Sequence, residues 1–158
     1  MTGVAVAGYG STLRGDDAAG YRVARAIAEG CASERADVRV LVGVQPLPEW
    51  AAELAEADVA YFVDAAPTAG GAAGVEVVEL TPTPVGGMLD GHAASPAALL
   101  DLARALYGRA PRAFLVTVPA ELFGFADDLS ALAAAGVGEA VRLIEERLRA
   151  GEGSRPCA

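Results

Sequence analysis

The chain has 158 residues, about the length of one domain with a single core. Hydrophobic residues make up 53% and charged residues 21%, with 21 acidic side chains against 12 basic ones, all arginine, for a formal charge of −9. That balance repels phosphate backbones and argues against nucleic acid as a partner, and no run of about 18 uncharged apolar residues exists to span a membrane.

The pattern alternates strand and helix, the signature of an α/β layered fold. Gly3–Ala7 is expected as a buried first strand, followed by a glycine-rich loop over Gly8–Asp16 and a helix from about Asp17 to Glu29, with Val23 and Ile27 on its inner face. Val38–Val44 reads as a second strand. Pro46 and Pro48 mark the start of a helix through Trp50 and Leu54 to about Asp58. Val59–Asp64 reads as a third strand, apolar until its last residue.

Pro67–Gly74 is small and glycine-rich, as in a surface loop. Val75–Leu80 alternates imperfectly and suits an edge strand, and Thr81–Ala94 is expected as a loop. Ser95-Pro96 supplies a cap and a first-turn proline for a helix with Leu99, Leu102, Ala103 and Leu106 on its apolar face. Arg112–Val118 is a last strand, and Val137, Val141, Ile144 and Leu148 fall on one face of a final helix. One domain over residues 1–150 and a frayed tail over 151–158 follow. The start lacks a basic, apolar export signal, so the expectation is a reducing cytoplasm with Cys31 and Cys157 as free thiols.

Three acid or imidazole positions stand out. The loop Gly8-Tyr9-Gly10 invites a dinucleotide reading, but Gly10 is followed at the third place by Leu13, and Asp16 and Asp17 stand where a pyrophosphate would sit. Asp16 and Asp17 suit the capping of a helix, a job that needs only one of them and leaves the other to point elsewhere. Asp64, at the carboxyl end of a buried strand, suits either a turn or the crevice where α/β sheets bind ligands. His92 is the only histidine and sits in the glycine-rich stretch Gly86–His92. A solvated loop histidine and a ligand for a borderline divalent metal beside two carboxylates are both open readings. Ser11 and Ser95 lack a nucleophile elbow, while Glu121, Asp127 and Asp128 read as solvated loop acids.

The run from Val4 to Gly20, with Gly8, Gly10, Leu13, the pair Asp16-Asp17 and Gly20, resembles the opening motif of hydrogenase maturation proteases. Phe62-Val63-Asp64-Ala65 resembles that family's second acidic motif. Gly91-His92, Ser95-Pro96, Leu99-Leu100, the run from Leu106 to Pro111 and Phe114–Val118 resemble a subgroup pattern. The resemblance implies a three-layer α/β/α sandwich on a mixed five-stranded sheet with one antiparallel strand, for which Val75–Leu80 is the candidate. It implies an endopeptidase that trims the C-terminal extension of a nickel–iron hydrogenase large-subunit precursor and recognises nickel already in it. It also implies Asp17, Asp64 and His92 as metal ligands and catalytic residues, with zinc or cadmium as surrogates for nickel. Ser11 stands where the family usually has Asn, Asp17 where it often has the longer Glu, and His92 precedes Ser95-Pro96 instead of following such a step. Those departures motivate an alternative, a non-catalytic homologue that binds metal or a hydrogenase subunit.

Overall fold

The computed structural model describes residues 3–68, 74–81 and 95–151. In chain order these form β1 (Val4–Tyr9), a 3-10 turn (Gly15–Ala18), α1 (Ala19–Glu29), β2 (Val38–Gly43), α2 (Trp50–Glu56) and β3 (Val59–Pro67). They continue as β4 (Glu76–Leu80), α3 (Pro96–Tyr107), β5 (Arg112–Ala120) and α4 (Ala131–Ala150). The five strands make one sheet in the order β2-β1-β3-β5-β4, parallel except for the β4–β5 pair.

β1 and the apolar stretch of β3, Val59–Val63, are buried on both sides, as interior parallel strands require. Alternation along β1 sends Val4 and Val6 to one face and Ala5, Ala7 and Tyr9 to the other. On the first face they meet Val23 and Ile27 of α1 and Ile144 and Leu148 of α4. On the second they meet Trp50 and Leu54 of α2 and Leu99 and Ala103 of α3. Two helical layers thus enclose one sheet, in the three-layer arrangement expected from the sequence.

Right-handed crossovers explain the assignment of helices to faces. The chain moves one way from β1 to β2, then back past β1 to β3, so α1 and α2 fall on opposite faces. The reversal leaves a crevice outside the carboxyl ends of β1 and β3, where open α/β sheets bind ligands.

β4 is the antiparallel edge strand, as expected. Ser95 caps α3, its hydroxyl accepting from the Ala98 N–H at 3.1 Å, with Pro96 in the first turn. Several boundaries differ from expectation, with β1 running on through Tyr9 and β5 through Ala120. α2 starts at Trp50, because Pro48 belongs to the turn that leads into it and Pro46 lies in the irregular chain before that turn. α1 starts at Ala19, after the 3-10 turn that contains Asp16 and Asp17. β3 does not end at Asp64: the nine-residue β5 pairs with it as far as Pro67, with Asp64 opposite Thr117. Among the described residues no helix is long and apolar enough to cross a membrane, and Cys31 is a free thiol. Most of the expected Thr81–Ala94 loop, Cys157 and all but the first residue of the expected tail lie outside the described residues.

Candidate metal-facing site

The β1–β3 ladder ends at the pair Gly8 and Val63. Asp64 is therefore the first β3 residue beyond β1's pairing, still held on its other edge by β5. Its even position puts it on the side of Ala60 and Phe62, the face that also carries Tyr9. The buried Tyr9 side chain faces the Asp64 carboxylate, and the two groups shift each other's titration. A buried tyrosine needs such a partner, and the last β1 residue on that face reaches this one.

Asp17 arrives from the other side. Its Oδ2 accepts from the Ser11 N–H at 2.8 Å, which closes the loop between β1 and the 3-10 turn. Two glycine contacts bring this turn down onto the sheet. A Cβ on Gly10, whose φ is +148°, would lie 1.7 Å from the Asp17 carbonyl oxygen. A Cβ on Gly20 would lie 2.1 Å from the Val63 carbonyl oxygen. The G-x-G step thus holds the chain's own backbone where a dinucleotide fold holds a pyrophosphate.

The electrostatics of Asp64 follow from this placement. Burial pushes its carboxyl above the ordinary carboxylate range; the Ala65 N–H pulls it back, the Asp17 charge pushes it further up, and the Tyr9 hydroxyl pulls it down. Burial, then the charge of Asp64 and the hydrogen bond to it, drives the Tyr9 phenol far above its usual value and keeps it protonated. Among the described residues neither Asp17 nor Asp64 forms an ion pair with an arginine. Two mutually repelling, partly buried carboxylates without a cation suit a bound positive charge.

Asp16 has a different environment. It is fully buried and accepts four hydrogen bonds: Glu121 N–H at 2.9 Å, Leu122 N–H at 2.9 Å, Ser130 N–H at 2.7 Å and Ser130 Oγ at 2.6 Å. Burial opposes its charge, but the bonds from Ser130, Glu121 and Leu122 outweigh that and hold its carboxyl below the usual value. Ser130 in turn caps α4, accepting from Ala133 N–H at 3.1 Å. Neither Asp16 nor Asp17 caps α1, so the capping expected of this pair is replaced by a brace across the sheet edge and a loop closure.

His92 lies outside the described residues, so the third expected ligand has no position here. No cluster of three or more His, Cys, Asp or Glu side chains suited to a metal occurs among the described residues. Ser95 is occupied as a cap. Cys31 is half-buried and its thiol is pushed up by burial, the opposite of a nucleophile's shift. Glu121, Asp127 and Asp128 are exposed on the loop after β5, as expected. Sequence reasoning missed Tyr9 and Ser130. The signal for Tyr9 was a polar-tipped aromatic on a buried strand's last position; for Ser130 there was none beyond the cap of α4.

Neither a protein-family profile nor a curated protein matches the chain. Solved structures do. A [NiFe] hydrogenase maturation protease, HycI from Thermococcus kodakarensis, has a TM-score of 0.72 at 25% identity, covering 94% of this chain and 93% of its own. The hydrogenase maturating endopeptidase HybD from E. coli has a TM-score of 0.70 at 19% identity over 95% and 94%. The [NiFe] hydrogenase maturation protease HybD from Thermococcus kodakarensis has a TM-score of 0.66 at 20% identity over 92% and 98%.

Proposed function

We propose that this chain, which shares the fold of solved hydrogenase maturation proteases and carries motifs that resemble theirs, is the endopeptidase that removes the C-terminal extension of a nickel–iron hydrogenase large-subunit precursor. The observation that carries this reading is the placement of Asp17 and Asp64 at the carboxyl edge of β1 and β3, near enough for the Asp17 charge to raise the Asp64 carboxyl, with no arginine paired to either among the described residues. Nickel arrives as part of the substrate. Asp17 and Asp64 supply anionic oxygen donors to it, and His92 supplies the nitrogen. Three side chains leave positions open for the precursor's own ligands and the scissile carbonyl.

Catalysis in this scheme needs no side-chain nucleophile. A divalent metal polarises a carbonyl and lowers the pKa of bound water. The chain's residues hold the geometry. The Asp17 oxygen that accepts from Ser11 fixes one carboxylate, and the Tyr9 side chain faces the other. No cysteine or serine role is required: Ser95 caps a helix, and the Cys31 thiol is held in its protonated form.

A processing assay tests the reading. Wild type should cut a nickel-loaded precursor and leave a metal-free one intact, and Cys31→Ala should cut normally. Equal cutting of metal-free precursor, or loss of cutting in Cys31→Ala, contradicts the mechanism.

A further inference from the structure

The loop of the opening motif and the loop after β5 form a second feature at the same edge. Leu13 is 62% exposed although it stands inside the motif, so it has no core-packing duty. Beside it, Leu122, Phe123 and Phe125 are exposed, Phe125 to 84%. The loops are clamped together. Gly15 N–H donates to Ala126 O at 2.9 Å, Ala126 N–H to Leu13 O at 3.2 Å, and Asp16 N–H to Leu122 O at 2.7 Å. Asp16's carboxylate then braces the outer loop through its four hydrogen bonds. Arg14 lies over the Phe125 ring, 5.6 Å from its centroid.

The Asp16 carboxylate and the three backbone bonds together hold the two loops with Leu13, Leu122, Phe123 and Phe125 exposed, a built apolar surface of the kind that marks an interaction site. Its place is set by chain connectivity: Arg14, Gly15 and Asp16 join Leu13 directly to Asp17. Around it the exposed acids Glu121, Asp127 and Asp128 outnumber the two arginines at the patch, Arg14 over Phe125 and Arg22 on the Asp127 carbonyl, on a chain of net charge −9. Docking a second copy face to face would bring these carboxylates against each other, which disfavours self-association.

We propose that Leu13, Leu122, Phe123 and Phe125 dock the polypeptide that flanks the scissile bond, and that the docked segment is apolar and carries lysine or arginine. This rests on the endopeptidase reading, since it names what holds the peptide once the metal is engaged. The apolar side chains supply the contact energy, and the acidic rim selects basic neighbours and speeds encounter.

The test uses the full chain with nickel-loaded large-subunit precursor, read both as cleavage kinetics and as binding to immobilised precursor. Phe125→Ser and Leu13→Ser alter exposed side chains and should melt as wild type does. Each should raise KM and the binding Kd about tenfold with kcat near wild type. Charge reversal in Asp128→Lys should weaken binding several-fold at low salt and much less at high salt. If wild type cuts and both serine variants keep its KM, the docking surface is wrong and the endopeptidase reading stands. If wild type binds without cutting and Phe125→Ser loses binding, the docking surface stands and the endopeptidase reading fails. Absence of binding by wild type overturns both. A wild-type dimer that Phe125→Ser splits, seen by sedimentation, overturns the proposal in favour of self-association.

Discussion

Asp16 and Asp17 are chain neighbours with opposite surroundings. Asp16 is sealed from solvent and accepts four hydrogen bonds, so its charge is fully compensated by donors from the 121–130 segment. Asp17 accepts one backbone bond from Ser11 and adds its charge to that of Asp64, whose carboxyl is held up by burial and by that repulsion. Among the described residues one carboxylate finds a full set of donors and the other pair finds no cation. Completion marks a structural role, and shortfall marks a place where a cation from outside improves the electrostatics.

The largest effect that sharpens this contrast is on processing. Asp64→Asn and Asp17→Asn should lower the cleavage rate by about a thousandfold or more, because a neutral amide is a poor ligand for the metal on which the proposed reaction relies. Asp17→Glu should retain part of the activity. Normal processing by Asp64→Asn would remove the pair from the chemistry.

Next is stability. Asp16→Ala should cost about 3 kcal/mol in urea unfolding, since it leaves several donors of the brace unsatisfied in a buried place. Asp64→Asn should instead raise stability by about 1 kcal/mol, because it relieves burial of charge and repulsion while keeping the shape. A loss of similar size in both variants would erase the distinction.

The two acids also respond oppositely to pH. The Asp16 carboxyl is lower folded than unfolded, so its contribution is present above the unfolded carboxylate range and is lost as pH falls through its folded value. The Asp64 carboxyl is higher folded than unfolded, so its effect is absent in acid and becomes destabilising as pH rises from the unfolded range through its folded value. Unfolding free energies across acid pH should therefore fall more steeply toward low pH in wild type than in Asp16→Ala, and Asp64→Asn should lack the destabilisation that wild type acquires as pH rises from the unfolded carboxylate range through the folded Asp64 value. Parallel curves for all three proteins would contradict both assignments. The smallest effect belongs to Tyr9→Phe, which should weaken metal binding about tenfold by freeing the Asp64 carboxylate, with a change in stability of about 1 kcal/mol. Unchanged affinity would leave Tyr9 as packing alone.

Much of this arrangement is legible in the sequence for local reasons. The apolar run Val59–Val63 announces a buried strand and so exposes Asp64 as anomalous, and Ser95-Pro96 encodes its cap within four residues. The illegible parts are non-local. Asp16 takes its partners from more than a hundred residues away, so nothing nearby reveals that it is a brace and that α1 begins after a 3-10 turn. β3 runs beyond Asp64 because β5 is long enough to pair with it, a property of another segment. Tyr9 meets Asp64 only through the β1–β3 register.

The most direct test of the contrast is a calorimetric titration of the isolated chain with nickel, or with cadmium or zinc as surrogate. Wild type should bind weakly, with affinity falling below about pH 6.5, where an ordinary imidazole protonates. Asp17→Asn, Asp64→Asn and His92→Ala should each lose that binding, while Ser130→Ala, which weakens the Asp16 brace and the α4 cap but leaves the proposed ligands in place, should keep it. Undiminished binding in Asp64→Asn, or loss of binding in a folded Ser130→Ala equal to that in Asp64→Asn, would contradict the account.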